Sequence, residues 1–231
     1  MLKNLLYLVL FFIIFCCAPD KDLLELKKEP IQLTSNITIV NDSSEKANFN
    51  FGLWMFNKKK IEIDAIANWL GIKQNNKNIL EPINIVWVDF KANNKKEAIQ
   101  NITNFLYANE FLVRNGSSLG YFGLFENNTW IPQHRETWSD NQDYYTINNH
   151  GRLFVAYEIM SNLNNPVFFS TGAFSIESPQ HYLISFNEAL NKMKEVNKWK
   201  IKEDKFNVGN IIEDDTYTTF DHQGLKIFIL N

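Results

Sequence analysis

Apolar and polar positions are spread unevenly along this chain, and the unevenness divides it. Leu5 to Phe15 is an unbroken apolar run behind Lys3, of a length that suits a signal-peptide core and is too short to span a bilayer. From Ala18 to about Asn48 polar and charged residues dominate, interrupted by the small Leu23–Leu26 and Ile37–Val40 groups. That composition predicts a flexible tether, within which Ile37–Val40 can pair as an edge strand. The folded region is predicted to begin near Phe49, where Phe51, Leu53 and Met55 alternate with Gly52, Trp54 and Phe56 as in a strand.

Beyond it, Ile63, Ile66, Ala67 and Leu70 fall at helical spacing, with Gly71 placed as a C-cap. Glu81-Pro82 opens INIVWVD, apolar on both faces and therefore predicted to be a central strand. Asn94 with Glu97 three residues on marks a helix start, and Ala98, Ile102 and Phe105 form its buried stripe. Phe111–Val113 and Gly120–Phe125 read as short strands, and Glu126 to Asn149 as a long polar loop. Arg152–Ile159 and Val167–Ile176 are apolar strands joined by a hairpin loop. Ser185 and Glu188 form a capping box for a helix running to about Trp199, burying Phe186, Ala189, Leu190 and Met193. Asn207–Ile212 and Leu225–Leu230 close the chain as strands. These elements predict an α+β (or α/β) fold: a mixed β-sheet of five to seven strands with two main helices packed on it. The division is a leader over 1–16, a tether over 17–48 and a single globular α+β domain over 49–231.

The leader ends in Cys16-Cys17-Ala18. Bacterial lipoprotein signals place an aliphatic residue three before the cysteine that is acylated, and a small residue just before it. Cys17 puts Ile14 and Cys16 in those places, whereas Cys16 would put the bulky Phe15 in the small slot. Lipidation is therefore expected at Cys17, and the alternative is a plain secretory leader. The chain has 2 cysteines, both at the leader's end, which excludes an internal disulfide, a thiol nucleophile or a cysteine-based metal site in the folded part. An acylated cysteine anchors the chain to a membrane of the bacterial cell envelope, the outer membrane where there is one.

At 231 residues and 45% hydrophobic, the chain can bury one sizeable core. A net charge of −3 argues against a nucleic-acid partner, which would want a basic face. GxSxG, HExxH, P-loop, GxGxxG and CxxC signatures are all missing, and no cofactor or metal is expected. The candidate catalytic residues are His150, Arg152, Glu177 and His181. His150-Gly151-Arg152 precedes a strand, where Gly151 would let a ligand approach the backbone. Arg152, in a chain that prefers lysine, suits an anion clamp. His181 lies just before a helix start, where an anion can also bind, with Glu177 four residues upstream to pair with it. Asp89 sits at the carboxyl end of a strand, where open sheets bind ligands. The candidate binding residues are Trp130, Trp138, Tyr144 and Tyr145 in the long polar segment, where exposed aromatics would stack on a glycan or form a protein-binding patch.

EPINIVWV, NNHGRLF, TGAFSIE and HYLISFNEAL are similar in order and character to the LssY C-terminal-like domain, over about Ile79 to Lys198. The helix after His181 departs from that pattern, with Asn187 and Leu190 where an acidic residue and an arginine would stand. The resemblance implies a fold and a bacterial membrane or lipoprotein context rather than a reaction. The functional expectation is a membrane-anchored envelope lipoprotein whose domain binds an envelope protein or glycan. The alternative is a hydrolase acting on an anionic lipid or envelope substrate through His150, Arg152 and His181.

Overall fold

The computed structural model describes residues 32–57, 73–75, 77–117, 119–126, 129–143, 145–204, 222 and 224–231. The leader, Cys17, the helix placed over 61–70 and the strand placed over 207–212 lie outside the described residues. Among those described, fourteen strands build two large sheets, and helix is confined to α1 (Lys95–Ala108) and α2 (Asn187–Asn191). One mixed sheet carrying two main helices is thereby corrected to a mostly β fold.

The six-stranded sheet contains β1 (Thr34–Val40), β2 (Lys46–Asn57), β3 (Lys73–Gln74), β4 (Lys77–Pro82), β7 (Tyr121–Phe125) and β8 (Thr129–Pro132). Its order is β3-β4-β2-β7-β8, with β1 beside the first half of β2. The eight-stranded sheet runs β13 (Trp199–Asp204), β14 (Leu225–Leu230), β5 (Ile85–Asp89), β11 (Pro166–Glu177), β10 (Asn148–Met160), β9 (Trp138–Ser139) and β6 (Leu112–Val113). Strand β12 (Leu183–Ser185) pairs with the far end of β11. Only β5 and β14 pair in parallel among these described ladders.

The sheets pack face to face around one apolar cluster, in which Phe49, Phe51 and Leu53 meet Val86, Val88, Phe154 and Phe169. Phe49 stacks on Phe169 at 4.2 Å between centroids. Strand periodicity turns Ile85, Trp87, Leu153 and Phe174 to the other face of the eight-stranded sheet, where α1 covers them. Phe105 of α1 lies 4.5 Å from Phe228 and 6.0 Å from Trp87. The helix starts where the sequence placed it. Asn94 Oδ1 accepts from the Glu97 amide at 3.0 Å, and Glu97 Oε2 accepts from the Asn93 amide at 2.9 Å.

Three departures have definite causes. The EPINIVWVD run is two strands in two sheets, because the chain crosses the gap at Ile83–Asn84. Buried Asn84 fixes the crossing by exchanging hydrogen bonds with the Phe174 backbone at 2.7 and 3.0 Å. Residues 34–48, assigned by composition to the tether, form β1 and the start of β2. Every second side chain of β1 is buried, and Ile37 and Ile39 join the inter-sheet core. The second helix stops at Asn191 instead of reaching Trp199. Asn109, at the end of α1, holds both backbone groups of Lys194, and Glu195 accepts from the Ile201 amide. These tertiary bonds outcompete another helical turn, although Phe186, Ala189, Leu190 and Met193 are all buried as read.

Candidate functional site

Strands β10 and β11 are antiparallel, with His150 opposite Ser175, Arg152 opposite Ala173 and Asn148 opposite Glu177. Their period of two puts His150, Arg152, Ser175 and Glu177 on the face that carries Phe154 and Ala173 into the inter-sheet core. The apolar core therefore gives way to charge at this end of the sandwich. The six-stranded sheet supplies the matching groups, Glu81 from β4 and Tyr121 from β7. Arg152 Nη1 lies 3.7 Å from Glu81 Oε1, and its guanidinium covers the Tyr121 ring at 4.1 Å. Glu177 Oε2 stands 3.6 Å from His150 Nε2 and 3.4 Å from His181 Nδ1. The four catalytic candidates thus meet in one cluster, graded from buried Glu81 to His181, whose side chain is 43% exposed.

Burial decides the charges. It pushes the Glu81 carboxyl up to about 7, against the pull of Arg152, and nearby Glu177 adds to the rise. It pushes His150 down to about 4, although Glu177 opposes it, so His150 is neutral at neutral pH. Burial also pushes Glu177 upward. His150, the hydrogen bond to His181 and the Arg152 charge outweigh that and leave it below the usual carboxylate range. His181 is raised by its hydrogen bond to Glu177 in spite of partial burial. Glu81 Oε2 and His150 Nδ1, both buried, have no hydrogen-bond partner among the described residues.

His181 occupies left-handed backbone space at φ 64°, a strained position for a residue other than glycine. A serine turn holds it there. Ser178 Oγ accepts from the Gln180 and Tyr182 amides, while the His181 amide donates to the Ser178 carbonyl. With Nδ1 engaged by Glu177, Nε2 is the ring nitrogen left for proton exchange with solvent or ligand. Next to His181 in the chain Tyr182 is 51% exposed and Ile184 46%, and just before β10 Tyr145 and Ile147 are exposed as well.

The other candidates separate from the cluster. Trp138 is core, fully buried and 5.6 Å from Tyr107, so it is corrected from a binding residue to a packing one. Trp130 is half-buried on β8, edge-on to Phe56 at 4.8 Å, with Lys77 Nζ 4.1 Å over its ring. The segment read as a long loop contains β8 and β9, whose side chains plug the sheets. Tyr144 lies outside the described residues. Gly151 serves packing rather than ligand approach: a Cβ there would strike the Phe174 ring and the Ala173 carbonyl. Asp89 is a buried turn cap, accepting from the Lys91 and Ala92 amides and from Asn101 Nδ2. A groove of about 610 Å³ beside β6, lined by Tyr107, Leu112, Leu119 and Arg135, includes none of the candidates.

Sequence reasoning missed Glu81, Tyr121 and Ser175. For Glu81 a signal existed, as a lone acid between apolar Ile79-Leu80 and Pro82-Ile83 asks for a buried partner. No protein-family model, curated protein or solved structure matches the chain. Among the described residues no helix is long and apolar enough to cross a membrane.

Proposed function

We propose that the chain is a lipoprotein anchored through Cys17 in a membrane of the bacterial cell envelope, and that its folded part is a binding module working through the Glu177 end of the sandwich. The Cys16-Cys17 leader end and the resemblance to the LssY C-terminal-like domain support the setting. One observation carries the choice of surface: a single carboxylate, Glu177, joins buried His150 to partly exposed His181, two histidines from separate segments. The aromatic segment has a weaker claim, because Trp138 is consumed by the core.

Two experiments test this reading. Intact-mass measurement of the Cys17→Ser protein should show loss of the acyl mass, and retention there with loss in Cys16→Ser would move the anchor by one residue. For the surface, His181→Ala and Glu177→Gln should impair the cellular function, while His181→Ala melts near wild type because its side chain is partly exposed. Trp138→Ala should instead cost about 3–5 kcal/mol of stability and lose function only by unfolding. Full function in both the His181 and Glu177 variants would sink the proposal.

A second reading has its own support. A histidine exposed on one side and oriented by a carboxylate on the other is the arrangement of a general acid–base pair. In that reading the protein hydrolyses an anionic lipid or envelope substrate, with His181 transferring the proton and Glu177 orienting it. Turnover of envelope lipids that vanishes in His181→Ala would establish it.

A further inference from the structure

Inside the sandwich two carboxylates share one hydroxyl. Ser175 Oγ donates to Glu177 Oε1 at 3.5 Å and stands within hydrogen-bond reach of Glu81 as well. Ser175 and Glu81 are buried on facing sheets, whereas Glu177 leads outward to partly exposed His181. A hydroxyl has one hydrogen to give and lone pairs to receive. Ser175 can therefore serve one ionised carboxylate at a time, and the charge of Glu81 decides which.

When Glu81 carries a proton, its own O–H donates to Ser175 Oγ, and the serine hydrogen is left for Glu177. When Glu81 ionises, it becomes the needier acceptor. Its Oε2 has no hydrogen-bond partner among the described residues, and Arg152 at 3.7 Å is beyond close hydrogen-bond range. Glu177 Oε2 already faces His181 at 3.4 Å and His150 at 3.6 Å. The serine hydrogen then turns to Glu81, and Glu177 loses a donor that competed with His181. A second negative charge also appears behind Glu177. Both changes favour the imidazolium form of His181. Burial sets the ionisation of Glu81 at about 7, where a histidine raised above its ordinary value also titrates.

We propose that buried Glu81 regulates the charge of surface His181: ionisation of Glu81, relayed by the Ser175 hydroxyl and Glu177, makes the imidazole hold its proton more tightly. This rests on reading the Glu177 end as the binding surface, and it gives that surface a control group that no ligand touches. His181 thus stays cationic further above neutral pH than Glu177 alone would keep it. The other charges in the cluster do not reverse the effect. Arg152 on β10 and Arg114, just after β6, oppose protonation of His181, but both guanidiniums keep their charge throughout. His150 is neutral in this range, and Tyr121 from β7 lies under the Arg152 guanidinium.

The test follows the histidine rings by NMR in the full chain, held in detergent micelles, from pH 5.5 to 9, with His181→Gln to assign the His181 signal. In wild type the His181 curve should be broader than a one-proton titration, because Glu81 changes charge within it. Glu81→Gln, which fixes the neutral form, should sharpen the curve and weaken proton binding at His181 about threefold or more. His134, whose charged neighbours are Arg135 and Lys95, should keep its midpoint. In a Ser175→Ala background the same Glu81→Gln change should move His181 about half as far or less. A His181 midpoint indifferent to Glu81→Gln overturns the regulation, and an undiminished effect without the Ser175 hydroxyl overturns the relay. The wild-type chain gives a check that needs no substitution: carbon-13 shifts of the Glu81 carboxyl should change in step with His181. A carboxyl shift that stays constant from pH 5.5 to 9 overturns the proposal even where Glu81→Gln fails to fold. Failure of the binding reading alone looks different: full cellular function in His181→Ala and Glu177→Gln, with the coupled titration intact in wild type.

Discussion

Each end of the sandwich carries a buried carboxylate that reaches from one sheet to the other, and the two are held by different chemistry. At the hairpin end Glu45 accepts only from neutral donors: Ser161 Oγ and Asn165 Nδ2 from the β10–β11 turn, and Asn41 Nδ2 from its own. The Ser161 bond leads in holding it below its ordinary value, against slight desolvation. At the other end Glu81 faces an arginine at 3.7 Å, with one carboxylate oxygen unbonded, and burial raises it to about 7. At Glu45 desolvation is slight, so the hydrogen bonds outweigh it and hold the carboxylate low. At Glu81 desolvation is the largest effect, and the Arg152 charge with the Ser175 hydroxyl offsets it only in part.

Arg152 offers the largest break in this contrast. Arg152→Met should cost about 3–5 kcal/mol at pH 8, because ionised Glu81 then lies buried without its counter-charge. The double variant Glu81→Gln/Arg152→Met should recover most of that loss in denaturant melts. If the single variant melts like wild type, the ion pair does not hold the sheets together at this end.

The pH profile sharpens the difference. Folding raises Glu81 from 4.5 to about 7, so the folded state holds the extra proton between those values. Its contribution is favourable below 4.5 and is lost as pH rises towards 7, by on the order of 3 kcal/mol at most. His150, lowered from 6.5 to about 4, acts in the opposite sense, because the unfolded state takes up the proton as pH falls through that window. The two offset one another from about 4.5 to 6.5. Melting Glu81→Gln between pH 4.5 and 6.5 should therefore uncover stability that rises with pH, led by His150, while raised His181 acts in the opposite sense only above 6.5. A profile parallel to wild type would mean that Glu81 does not titrate there. Glu45, depressed by folding, contributes above its unfolded value and loses that contribution only in acid.

The smallest effect belongs to the hairpin end. Ser161→Ala removes a donor to Glu45 and the acceptor of the Leu163 and Asn165 amides. It should cost about 1 kcal/mol, equally at pH 6 and pH 8. A loss that changes between those pH values would show that Glu45 behaves like Glu81 after all.

Much of the candidate cluster was legible before the fold was known. His150 and Arg152 are two apart, so any strand turns them to one face, and Glu177 and His181 lie within one turn of chain. Their meeting needed only the hairpin, which the apolar runs on either side of residues 161–166 announced. Glu81 was not legible as a partner, because it lies 71 positions from Arg152 and on the opposite sheet. The aromatic segment misled for a related reason. Trp138 in polar surroundings reads as exposed, but β9 is two residues long and its neighbours in space come from α1, β6 and β10.

What the sequence determined by itself is what short-range physics controls. This covers the Asn94 cap and buried stripe of α1, the period-two faces of β10 and β11, the two-faced burial of β5, and the missing thiol in the folded part. Tertiary structure alone decided how many sheets there are, where α2 stops and which carboxylate lies opposite Arg152. A strand buried on both faces looks the same beneath a helix or beneath another sheet, since either neighbour removes the same apolar surface from water. Likewise, the bonds that end α2 come from Asn109 on α1 and from β13, which no reading of residues 185–199 contains.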